Sequence, residues 1–103
     1  MAKVIEQDGV ITLRLFRLEK IGALHGDISV ASSHLISKSE VPNPWTKEHL
    51  RGTRSPGTAI PYRILLGTMR FKGGKDFCAI YRRTPAVTYE FTDSPFERWV
   101  VSL

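Results

Sequence analysis

Two strand-length runs, YRILLGTMRF and DFCAIYRR, flank the tetrapeptide KGGK. Gly73 and Gly74 readily supply the positive φ angles of a tight hairpin turn, and the flanking runs are rich in aliphatic and aromatic residues. The chain is therefore expected to be built on strands, and the rest of the sequence agrees. Ile11, Leu13 and Leu15 alternate through VITLRL, and Val87, Tyr89 and Phe91 through AVTYEF, the period-two pattern of half-buried strands. DISV is brief enough for one strand, and ISKSEV alternates up to Pro42 after the interruption ASSHL.

Helical signals are short. Leu18, Ile21 and Leu24 in FRLEKIGALHG are spaced for a helical turn ending at Gly26. Asn43 can serve as N-cap, Pro44 as first helical residue, and Gly52 as the stop of a second short helix. Gly57, Pro56 and Pro61 make residues 52–61 unsuited to regular structure. Near the end, Ser94-x-x-Glu97 fits a capping box, but Trp99 beside Val100 and Val101 favours a final strand. About seven short strands in one domain spanning residues 1–103 suggest a mainly β fold, a small barrel or sandwich.

Apolar residues make up 42% and charged residues 24% of the 103, the balance of a globular domain, which excludes wholesale disorder. No basic segment leads into an apolar run at the N-terminus, and no apolar stretch is long enough to span a bilayer. One cysteine cannot form an internal disulfide, which fits a reducing compartment, and the chain reads as cytoplasmic. The net charge of +5 is uneven. Residues 42–83 carry nine bases against Glu48 and Asp76, whereas the first 41 residues are balanced. Such clustering raises the local concentration of anions without naming one, and a solvated basic face has the same signature.

The stretch RGTRSPGTAIPYR lies in that basic segment. Gly52-x-x-x-x-Gly57 has the glycine spacing of a P-loop, but Thr58 stands where lysine is needed. The β-rich run after Pro61 also removes the helix whose N–H groups would face a phosphate. Two readings of the loop remain. Its glycines and prolines set turn angles while the arginines pair with Glu48, Asp76 or solvent. Or Arg51, Arg54 and Arg63 present forked donors to an anion, with Arg70, Lys72, Lys75, Arg82 and Arg83 steering it in. Nucleic acid is the less favoured partner, because Phe71, Phe77 and Tyr81 fall where alternation buries them. His25, His34 and His49 lack metal-ligand spacing, so no metal or cofactor is expected. Asp27 is near enough in sequence to orient His25, yet His25 better suits the end of the preceding helical turn. Cys78 reads as a small buried hydrophobe. With no G-x-S-x-G elbow and no nucleophile–base pair, an enzyme is not expected.

The segments LEKIGALHGDISV, RGTRSPGT and LLGTMRFKGGKDFCAIYR together resemble small bacterial proteins with a pleckstrin-homology-like (PH-like) fold, most of them uncharacterised. The resemblance covers about residues 10–103 and rests on strand order and glycine placement. It implies a bent antiparallel barrel of seven strands, with the Gly-rich segment linking the middle strands. It also implies a binding module for lipid head groups, peptides or protein surfaces. PH-like domains usually end in a helix that plugs one barrel mouth, and this sequence reaches Leu103 where that helix would begin. A homodimer covering the mouth is one consequence, and a structural oligomer that binds through an open mouth is the alternative function. The leading expectation is a module presenting the basic 51–83 surface to an acidic protein segment, a lipid surface or a small anion.

Overall fold

The computed structural model describes residues 2–46, 50 and 52–103, with residues 53–56 described by their backbone alone. The fold is mainly β. Three strands, β1 (Lys3–Gln7), β2 (Val10–Arg14) and β3 (Ile28–Ala31), form an antiparallel sheet. Asp8 and Gly9 join the first two with φ of 54° and 76°, as a two-residue hairpin turn requires. Helix α1 (Arg17–Ala23) separates β2 from β3, and a 3₁₀ turn at Ser32–His34 leads into the second sheet.

That sheet has six strands: β4 (Leu35–Val41), β5 (Thr53–Ile60), β6 (Ile64–Phe71), β7 (Gly74–Tyr81), β8 (Ala86–Phe91) and β9 (Arg98–Ser102). Their spatial order is β4-β8-β9-β7-β6-β5. The hairpin expected around KGGK is β6–β7, in register from Ile64↔Tyr81 to Phe71↔Gly74. Among the described residues the expected antiparallel barrel of about seven strands does not close. The described strands make two sheets, and β9 enters the middle of the larger one, antiparallel to β8 and parallel to β7. A long connection makes the parallel pairing possible, because residues 82–97 carry the chain through β8 before it returns beside β7.

Residues 52–61 also depart from expectation. Most of them are β5, an edge strand paired with β6. Pro56 is tolerated because an edge strand leaves one row of backbone groups unpaired, and the register shifts between Arg54 and Gly57 as in a β-bulge. The glycines serve this close pairing. A Cβ on Gly57 would collide with the Leu66 carbonyl oxygen and lie 2.8 Å from Gly67 Cα, and one on Gly52 would lie 2.6 Å from the Arg70 carbonyl carbon. Of the helix expected from Asn43 to Gly52, residues 47–49 and 51 lie outside the described residues, and the described positions 43–46, 50 and 52 are not helical. At its start, the Trp45 N–H donates to Asn43 Oδ1 at 3.1 Å.

The larger sheet is covered on both faces. One face packs Leu66, Phe77, Ala79, Tyr89, Phe91, Trp99 and Val101 against Ile11, Leu13, Ile28 and Val30 of the smaller sheet, Leu15 just after β2, and Ala23 of α1. The other carries Leu65, Met69, Cys78, Ile80, Ala86 and Val100 beneath Trp45, Leu50 and Ala59. Two-sided burial explains why strict alternation fails in β6, β7 and β9. Phe77 is fully buried, while Phe71 and Tyr81 are half-buried.

Helix α1 is turned the unexpected way. Glu19 and Ala23 face the core, while Leu18, Ile21 and Leu24 face solvent. Glu19 fixes this orientation. Its Oε1 accepts the Phe16 N–H at 2.8 Å, and its Oε2 accepts the Tyr81 hydroxyl at 2.5 Å. The helix ends before Gly26, because Leu24 adopts the left-handed conformation (φ 52°) and the His25 N–H donates back to the Lys20 carbonyl at 3.1 Å.

Candidate anion-binding site

Register divides the basic residues between the two ends of the β6–β7 hairpin. Arg70 stands opposite Lys75 beside the Lys72-Gly73 turn, whereas Arg63, Arg82 and Arg83 flank the Ile64↔Tyr81 pair. Six strand residues separate the groups, roughly 20 Å at the rise of an extended chain. The backbone of Arg54 pairs with Met69, which puts it at the Lys72 end, so Arg54 and Arg63 do not converge on one small anion. Arg51 and the Arg54 side chain lie outside the described residues.

At the Lys72 end the structure uses much of its charge internally. The Lys75 ammonium sits 4.8 Å from the centroid of the buried Phe96 ring. Behind it, Asp76 is fully buried, and its Oδ2 accepts both Arg98 Nη2 (3.0 Å) and Arg98 Nε (3.2 Å). Arg98 is thus a partner of Asp76 that the sequence reading did not name, while the expected pairing of Asp76 with the loop arginines falls on Arg51 and the Arg54 side chain, which lie outside the described residues.

The other end is built differently. Pro61 and Tyr62 occupy the centre of a turn closed by the Arg63 N–H on the Ile60 carbonyl at 2.9 Å. Proline suits the first central position, but the second needs positive φ, and here the bulky Tyr62 takes it at 62°. Arg82 is also left-handed, at φ 55°. Its N–H donates to the Arg63 carbonyl at 2.7 Å, and its own carbonyl accepts the Trp45 indole N–H at 2.6 Å. Tyr62 thereby lies against Trp45, with ring centroids 5.7 Å apart, and beneath Arg83, whose guanidinium carbon is 4.2 Å from the ring centroid. Arg63, Arg82 and Arg83 are all exposed, and none pairs with an acid among the described residues. Sequence reasoning missed Trp45 and Tyr62. The Pro61-Tyr62 pair after Ile60 was the available turn signal, but Trp45 reaches the site from far along the chain.

Several other candidates resolve as structural. Asp27 Oδ1 accepts the Leu15 N–H at 2.7 Å, while the His25 ring bonds the Gly26 carbonyl and packs edge-on against Phe77 and Phe96. Cys78 is buried, as expected. Among the described residues no three metal-ligating side chains come together. A shallow concavity on the smaller sheet, lined by Ile5, Gln7, Asp8, Val10, Thr12 and Arg14, gathers no arginine cluster. Among the described residues no helix is long and apolar enough to cross a membrane.

No protein-family model, curated protein or solved structure matches the chain.

Proposed function

We propose that this chain is a mainly β binding module without catalytic activity, and that it holds an anionic partner at the arginine-lined 60–63 and 81–84 turns. One observation carries the reading. Three exposed arginines with no acidic counterpart among the described residues surround a half-exposed tyrosine held in a left-handed backbone conformation. Backbone strain of this kind persists where its surroundings over-determine it and gathers at ligand sites. Guanidinium forks suit phosphate and carboxylate oxygens. Arg70, Lys72 and Lys75 then act at long range, steering the partner rather than anchoring it. Nucleic acid is less favoured, because Arg83 already covers a face of Tyr62 on which a base would stack. The alternative, an oligomer binding through a barrel mouth, needs a closed barrel, and the described strands form two sheets.

Trp45 is a built-in reporter, since it is half-buried against Tyr62 whereas Trp99 is fully buried. Titration with inositol hexakisphosphate as a soluble polyanion should change the Trp45 emission at low salt and lose the effect at high salt. The variant Arg63→Gln/Arg83→Gln should weaken binding at least tenfold, about 1.4 kcal/mol, with an unchanged melting temperature. Equal binding by this variant and the parent chain would refute the site.

A further inference from the structure

The geometry points to the outer face of α1 as an interfacial membrane contact, and we propose that the anionic partner is a bilayer surface. This rests on the reading of the chain as a module for anionic partners. Leu18 is 80% exposed, Leu24 68%, Ile21 63% and Phe16 49%. On a helix of 3.6 residues per turn, Leu18, Ile21 and Leu24 lie on the side away from the buried Glu19 and Ala23. Thr58 Oγ1 donates to the Gly22 carbonyl at 2.7 Å, which seats the helix over β5. Ile60, two residues along the same strand face and 51% exposed, continues the apolar surface. A contiguous apolar surface of this kind marks a contact site rather than ordinary exposed carbon.

Charge decides what covers it. Arg17 and Lys20 of the helix are exposed, and the only acid of the helix, Glu19, points inward. Asp27 comes within 3.8 Å of Lys20, an exposed pair of little energetic weight. A second copy meeting this face across a two-fold axis would set Arg17 and Lys20 against their own counterparts, and Asp27, already beside Lys20, leaves the face net positive among the described residues. An apolar surface bordered by negative charge has no such conflict. A short helix with leucine, isoleucine and phenylalanine outermost and basic residues at its flanks matches the headgroup–acyl boundary of an anionic bilayer. The buried side of the helix is joined to the arginine turn. The Tyr81–Glu19 hydrogen bond ties the first turn of α1 to the residue preceding Arg82 and Arg83.

Co-sedimentation with phosphatidylcholine vesicles, with and without phosphatidylglycerol, tests the inference. The parent chain should pellet with the mixed vesicles at low salt and not with phosphatidylcholine alone. Leu18→Ser/Ile21→Ser, at exposed positions, should reduce that binding at least tenfold while keeping the parent melting temperature and its response to inositol hexakisphosphate. Undiminished vesicle binding by this variant would overturn the inference. Binding of inositol hexakisphosphate without any vesicle binding would also overturn it while leaving the arginine site standing. If neither is bound, both readings fall. A dimer in light scattering that dissociates in Leu18→Ser/Ile21→Ser without any vesicle binding would assign the ridge to a second copy instead.

Discussion

At the Lys72 end of the β6–β7 hairpin, Lys75 lies over the Phe96 ring and Asp76 is sealed against Arg98. At the other end Arg63, Arg82 and Arg83 stand exposed around Tyr62. The two ends carry similar positive charge in sequence. They differ in the burial of the internal partner: Asp76 and Phe96 are buried, whereas Tyr62 beneath Arg83 is half-exposed. Where a carboxylate and an aromatic ring lie at hand, cations become part of the packing. Where the neighbours are a strained turn and an indole, they stay available for something outside the chain. A net charge cannot make this distinction, but the partner of each cation can.

Removing the carboxylate at the structural end should have the largest effect. Asp76→Asn leaves Arg98 buried without its counter-charge, a change expected to cost about 3–5 kcal/mol. A lowered urea midpoint with an unchanged slope would register the loss. Below saturation, the folded fraction should still bind inositol hexakisphosphate with parental affinity. A loss under about 1 kcal/mol would erase the contrast between the two ends.

A smaller effect is expected where α1 meets the arginine turn. Tyr81→Phe removes the donor to Glu19 and leaves a buried carboxylate short of a partner, about 1–3 kcal/mol. Burial, and then the hydrogen bond to and charge of Glu19, push the Tyr81 hydroxyl well above the usual tyrosine range. The folded chain thus keeps a proton that the unfolded chain loses near its ordinary value of 10.0. The contribution is fully present below that pH and declines as pH rises above it. The stability gap between the parent chain and Tyr81→Phe should therefore narrow above about pH 10, in denaturation curves measured across that range. A gap that stays constant or widens would show that the bond does not hold α1 as described.

Much of the strand framework could be read from local pattern. The KGGK hairpin, the β2 and β8 alternations and the final strand after Pro95 all follow from residues close in sequence. What escaped depends on distant partners. Pro56 and Gly57 read as loop because nothing in their own sequence tells that β5 will be an edge strand pressed onto the backbone of β6. The spacing of Leu18, Ile21 and Leu24 usually identifies a buried face. Here the polar anchor Glu19, bonded to Tyr81 at a separation of 62 residues, reverses it. The basic segment was legible as charge, but its division between two hairpin ends, and the entry of Trp45 beside Tyr62, needed the register and the tertiary fold.

The finest test of the comparison is Tyr62→Gly. Glycine adopts φ of 62° without the side-chain clash, a relief of about 1 kcal/mol. It also forfeits the contacts of the ring with Trp45 and Arg83, worth about 1 kcal/mol together at an exposed site. The two nearly cancel, so the melting temperature should move little. Arg83, however, loses the surface that holds its guanidinium in place and regains rotamer freedom that binding must then remove. The expected signature is an unchanged stability with weaker inositol hexakisphosphate binding, read by isothermal titration. A gain in stability of 1 kcal/mol or more with full binding would mean that the ring contacts contribute nothing and that the strained tyrosine has no part in positioning the arginines.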